Sequence, residues 1–321
     1  MNTMRRSNLL HDCLWISPLA AIFLVLISSS FTVSSEELFV WAKITFEEDG
    51  LAFENNNRLI LPFPVMQNNP KAGTYLALRH YTIGAKSTLR PLAFAPGCEN
   101  HGRAIKPDQF NGKDIAGGEL VFLMDHIGEM PSAPDLTLAF KLFVPADDTN
   151  EYHVIFWNCT QEGKKATILL KPNRGKWNFI RVPLHVPQFI DKGDIVRNVS
   201  MKARSYNSKP FHWLVDDIVV WSGQDRIPPS PVEQILCQAD GDDNLIRWTP
   251  VEDNLAIAAY EIHRGTVPLF QPTEKTVIGR TTDSNFRDVC PMHENSFYRI
   301  IAIDYADNPS TPSPSVQRMK K

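Results

Sequence analysis

Phe211-His-Trp-Leu-Val-Asp-Asp-Ile-Val-Val-Trp221 is apolar and β-branched along its length and broken once, by the acid pair Asp216-Asp217. That composition is a β-strand. The segment after it, Ser222 to Pro231, carries Gly223, Pro228, Pro229 and Pro231, so it cannot extend a sheet and marks a boundary. The chain therefore divides into a first domain over 36–224, a Pro-rich linker over 225–231, a second domain over 232–316 and a basic tail over 317–321.

Upstream of this strand, further strand-like runs are Leu38 to Phe46, Thr74 to Tyr81, Gly118 to Phe122, Leu136 to Val144, Tyr152 to Trp157, Ala166 to Leu170, Trp177 to Val182 and Val196 to Ala203. Turn chemistry separates them at Asn111-Gly112, Glu162-Gly163 and Asn173-Arg174-Gly175. No amphipathic helix of three turns interrupts the series. Many short strands predict an all-β fold, most simply a jelly-roll β-sandwich. Downstream, Ile246 to Trp248, Tyr260 to Arg264, Phe286 to Asp288 and Phe297 to Asp304 alternate between polar turns. That rhythm predicts a second, immunoglobulin-like sandwich of seven strands.

Both halves resemble known families. Trp177-Asn-Phe-Ile-Arg-Val-Pro-Leu184, then Lys192-Gly-Asp-Ile-Val196, then Trp213 to Val220 is similar to the closing strands of jelly-roll carbohydrate-binding modules and galactose-binding-like domains. Phe46-Glu-Glu-Asp-Gly50 resembles their opening strand. The second domain resembles fibronectin type III along its whole length. The likeness runs through Trp248, the Asp253 to Arg264 run, Phe286 and Asp288, Tyr298, and the Ala302 to Ser313 run. In that reading Trp248, Tyr260 and Tyr298 are core residues.

In the first resemblance the opening and closing strands lie side by side, and carboxylates there often hold a structural Ca²⁺. This cation takes six to eight oxygens. Glu47, Asp49, Asp216 and Asp217 are the expected ligands. A competing reading is a β-bulge, because Val215 and Ile218 are both apolar although they differ in parity. Both remain open at this stage.

Sugar recognition needs aromatic rings to stack on pyranose faces with polar groups beside them. Tyr152, His153, Trp157 and Tyr206 are the expected ligand-binding residues, with Trp177 and Trp213 further candidates. Tyr152 and Tyr206, flanked by polar residues, are expected at the surface.

The chain has 321 residues, 43% hydrophobic and 21% charged, at a formal charge of −3. These values are those of a globular protein and give no electrostatic footprint for nucleic acid. Arg5-Arg6, the apolar run Leu19 to Ile27, and Val33 and Ser35 before Glu36 form a secretory signal over 1–35. The predicted location is extracellular or periplasmic, without a membrane segment after cleavage. In an oxidising compartment Cys98, Cys159, Cys237 and Cys290 allow three pairings. One bridge within each domain, Cys98 with Cys159 and Cys237 with Cys290, is the most economical. By the second resemblance Cys237 and Cys290 fall on strands of one sheet. Asn158-Cys-Thr160 and Asn198-Val-Ser200 are glycosylation sequons.

Serine-hydrolase, zinc-protease and phosphate-loop motifs are absent from the sequence. The compact His and acid groups are Asp125-His126 with Glu129, and Cys98-Glu-Asn-His101. The expected function is a secreted, non-catalytic glycan-binding protein, with the fibronectin-like domain as spacer or protein-interaction module. The alternatives are an adhesion or structural protein, and a polysaccharide-degrading enzyme with its site in 84–131.

Overall fold

Strands are the dominant element of this computed structural model, which describes residues 37–46, 52–53, 58–60, 75–82, 88–90, 92–98, 103–107, 115–123, 130–158, 160–161, 164–204, 213–289 and 296–318. The strand Leu214–Ser222 is the spine of a six-stranded antiparallel sheet. It pairs with Thr137–Val144 on one side, while Phe39–Ile44 and Arg103–Pro107 share the other; Lys176–Pro183 and Leu92–Pro96 lie outside them. Facing it is a nine-stranded sheet whose central run is Lys165–Leu170, Glu151–Asn158, Ile195–Arg204, Ile115–Leu123 and Tyr75–Thr82.

Alternation explains the core between them. Leu138, Phe140, Leu142 and Val144 from one sheet meet Tyr152, Val154, Phe156, Val199 and Met201 from the other, and Trp213 is fully buried among them. These residues sit on one face of each strand because side-chain direction reverses at every step.

After Asp225 the chain runs without regular structure to Ile235 and enters a smaller sandwich. One sheet is Ile235–Asp240, Asp243–Trp248 and Asn285–Asp288; the other is Val277–Thr281, Ile257–Gly265, Phe297–Asp304 and Val316–Gln317. Three plus four antiparallel strands form an immunoglobulin-like sandwich. Trp248, Tyr260 and Tyr298 are in its core, as expected.

A third apolar cluster joins the two sandwiches. Ala139, Val219 and Trp221 of the first sandwich pack against Leu255, Ala256, Ala258 and Tyr305 of the second. The Tyr305 ring lies 4.6 Å from the Phe179 ring, and its hydroxyl donates to the Asp217 carbonyl at 2.9 Å. The sandwiches share a seam, and the Pro-rich segment runs beside it.

The thiol of Cys98 donates to the Thr282 carbonyl of the second sandwich at 3.5 Å. Cys237 is a buried thiol, and burial pushes its pKa up to about 11. Its strand shares a sheet with Asn285–Asp288, as expected, but Asp243–Trp248 lies between the two. Cys159, Cys290 and the signal segment lie outside the described residues. The Asn158 sequon is corrected: its amide is buried and donates to Asp194 Oδ2 at 2.6 Å, which leaves no room for a glycan.

Candidate functional site

Two places carry the chemistry anticipated above. The first is the outward face of the nine-stranded sheet. Along Glu151–Asn158, Tyr152, Val154, Phe156 and Asn158 turn inward, so His153, Ile155 and Trp157 lie on the other face. Trp157 is 37% exposed, and the ammonium of Lys165 sits 5.1 Å from its ring centroid. His153 stands opposite Leu169, itself exposed, and 4.0 Å from the Glu151 carboxylate. An exposed aromatic ring with an ammonium at its face suits a polyhydroxylated ligand, which needs a flat surface and hydrogen-bonding groups at its rim. The same face is closed at Ile155, which is buried.

The structure thus puts His153 and Trp157 on one face of the strand, four residues apart with the buried Ile155 between them, and turns Tyr152 to the opposite face. Tyr152, expected at the surface, is 1% exposed and donates to Asp148 Oδ2 at 3.0 Å. Its parity with Val154 and Phe156 places it in the core. Trp213 is core too, and Trp177 packs on Phe143 at 5.8 Å. Tyr206, Asp125, His126, Glu129 and His101 lie outside the described residues.

The second place is a crevice of about 410 Å³ at the seam, lined by Lys43, Lys141, Asp216, Asp217, Glu252 and Asp253 among others. Between Ala139 and Lys141 the register with Leu214–Ser222 shifts, and Asp217 adopts φ 46. This is the bulge foreseen as one reading of the acid pair, and Asp accepts the left-handed conformation better than most residues. Both acids thereby reach the seam. Asp216 is buried and accepts the Cys98 N–H on Oδ2 at 2.8 Å and the Asp217 N–H on Oδ1 at 2.8 Å. Burial first, and then the Asp217 charge, push its pKa up to about 8. Lys141, also buried, pairs with Asp217 Oδ2 at 3.0 Å.

These partners bear on the calcium expectation. Three oxygens of the pair already accept from N–H or ammonium donors, and an ammonium occupies the position a cation would neutralise. Asp216 and Asp217 do not fit a Ca²⁺ shell, which requires free oxygens. Glu47 and Asp49 lie outside the described residues.

Sequence reasoning missed the contribution of the second sandwich to this crevice. Lys43 donates to the carbonyls of Asp253 at 2.8 Å and Asn254 at 3.1 Å. These residues follow Lys43 by more than two hundred positions, and no local pattern signals the contact.

No family model and no curated protein matches the chain. Among solved structures it is similar to a β-1,2-glucanase from Parabacteroides distasonis at 14% identity, over 77% of this chain and 37% of that one, with a TM-score of 0.28. It is similar to the Endo-D glycoside hydrolase domain of Streptococcus pneumoniae at 9% identity, over 74% and 37%, with a TM-score of 0.34. The FN1–FN3 domains of chicken CNTN1 match at 12% identity, over 84% and 98%, with a TM-score of 0.23. The chain spans little more than a third of the two hydrolase structures. At scores of this size the likeness supports neither a shared fold nor a shared activity.

Proposed function

We propose that this protein is exported and binds glycan without cleaving it, through a jelly-roll carbohydrate-binding domain to which a fibronectin type III domain is rigidly attached. The observation that carries the reading is Trp157: among the candidate aromatic residues described, it combines an exposed ring with the Lys165 ammonium at its face. Stacking on such a ring contributes through apolar contact that sugars offer on one face of the pyranose. The seam supports the role of the second sandwich as a fixed spacer, because Trp221 and Tyr305 hold the two bodies together. Among the described residues no helix is long and apolar enough to cross a membrane.

A glycan array with wild type and Trp157→Ala tests this. The expected result is binding to at least one glycan class, weakened about tenfold or more in the variant, which corresponds to a loss of at least ~1.4 kcal/mol. No binding by folded wild type, or equal binding by both proteins, overturns the reading.

A second reading has one observation in its favour. A protonated Asp216 beside Asp217, which pairs with Lys141, in a crevice places a proton donor next to a second carboxyl group. In that case wild type hydrolyses a polysaccharide and Asp216→Asn does not. Absence of hydrolysis across a polysaccharide panel, between pH 4 and 8, eliminates it.

A further inference from the structure

A second group of acids lies at the seam, and it differs from Asp216 and Asp217 in that, among the described residues, no cation pairs with its carboxylates. Asp225 leaves the first sandwich, Asp253 lies in the loop before Ile257–Gly265, and Asp304 ends Phe297–Asp304. One carboxylate oxygen from each lies within 4.8 Å of the others. Asp225 is 4% exposed and Asp304 is fully buried.

Their hydrogen bonds leave specific atoms over. Asp304 is satisfied on both oxygens: Oδ1 accepts the N–H groups of Ala306 and Asn308, and Oδ2 accepts the Asn308 amide at 2.8 Å. Asp225 Oδ1 accepts the Ile227 N–H, and Asp253 Oδ2 accepts the Leu255 N–H. Asp225 Oδ2 and Asp253 Oδ1 are buried and have no donor, and the Asn254 amide beside them in sequence is unpartnered at both its oxygen and its nitrogen. Among the described residues no salt bridge reaches any of the three acids.

Buried carboxylates without donors are costly unless a cation neutralises them. Two oxygens bound to one Ca²⁺ at 2.3–2.6 Å lie at most about 5 Å apart, so one ion can touch all three acids. The donors are all oxygen, with no His or Cys, which selects a hard cation over zinc.

We infer that Asp225 and Asp253, with Asp304 alongside, bind one divalent cation of the calcium class at the seam through the two carboxylate oxygens left without donors. The ion joins the exit of the first sandwich to a loop and a strand end of the second. This inference is independent of glycan binding and concerns residues other than the acid pair of the bulge.

The test is calorimetric titration of chelator-stripped full-length protein with CaCl₂, together with thermal unfolding with and without the salt. Expected is one site, and a rise of several degrees in Tm at a Ca²⁺ concentration about 100-fold above Kd. Asp225→Asn and Asp253→Asn each keep the shape of the side chain and are expected to weaken Ca²⁺ at least tenfold and abolish the rise. In calcium-free buffer they should unfold no earlier than wild type, since each removes a repelling charge. Asp216→Asn should retain the full rise. The inference is overturned if wild type shows neither heat nor shift, if both junction variants retain the rise, if Asp216→Asn alone loses it, or if MgCl₂ gives an equal rise.

Discussion

The bulge acids and the junction acids lie at one seam, yet they are neutralised in opposite ways. Asp217 has the ammonium of Lys141 at 3.0 Å, and Asp216 beside it is held protonated, so that pair is complete within the chain. Asp225, Asp253 and Asp304 converge, the first two with donor-less oxygens, and no ion pair reaches them among the described residues. The difference follows from the elements that supply them. A strand pairs with strands, and its neighbour Thr137–Val144 delivers Lys141 across the sheet opposite Asp216. The junction acids come from a linker, a loop and a strand end, and the one residue among them with a partner across a sheet, Asp304, stands opposite the apolar Ile257.

The largest expected effect is at Lys141. Lys141→Met removes the internal cation while preserving the stem, and leaves Asp217 charged in a mostly buried position. Loss of one partner from a buried pair costs about 3–5 kcal/mol, read as a lowered urea midpoint. Asp225→Asn in calcium-free buffer should cost nothing. Equal costs for the two substitutions would break the comparison.

Next is pH. Asp216 has a folded pKa of about 8 against an ordinary 3.8, so the native state binds a proton that the unfolded chain has lost. Its stabilising contribution is full below about pH 4 and disappears as pH rises through 8. Wild type should therefore lose on the order of a few kcal/mol across that window, and Asp216→Asn should have a shallower profile. Urea midpoints measured at about pH 5 and 8 decide it; parallel slopes for both proteins would remove the protonated acid from the comparison.

Legibility in the sequence divided along the same line. Strands with alternating or continuous apolar runs, such as Thr137–Val144 and Phe297–Asp304, could be read because burial imposes a period on them. The bulge could be read because Val215 and Ile218 are both buried and only an extra residue puts them there. Short strands such as Leu92–Pro96 and Arg103–Pro107 could not, since each ends in proline and is too brief to show a period. Tyr152 was misread because polar neighbours in sequence are not neighbours in space. The junction acids look like ordinary turn residues one at a time, each capping an N–H close to it in sequence. Only the fold places 225, 253 and 304 together.

A smaller effect is expected at Tyr305, whose hydroxyl donates to the carbonyl of Asp217 from across the seam. Tyr305→Phe keeps the ring against Phe179 and removes one buried hydrogen bond, for a cost of about 1 kcal/mol. A cost near that of Lys141→Met would mean that the bulge depends on the second sandwich for its shape and not on its own cation.

The smallest is at Arg181, which also crosses the seam. Its guanidinium reaches Asp307 at 2.7 Å and the Tyr305 carbonyl at 3.1 Å, so by distance alone it matches Lys141. The two pairs differ in solvent: the Arg181 and Asp307 side chains are 40% and 63% exposed. Water and salt screen such a pair and keep the separated charges solvated, so Arg181→Ala should cost only about 0.2–1 kcal/mol, less in high salt. Denaturation at low and high ionic strength for both variants separates the cases. Lys141→Met should be nearly insensitive to salt, because its lost interaction is buried. If Arg181→Ala proves the costlier change, then contact across the seam, and not burial of the charge, sets what each ion pair contributes here.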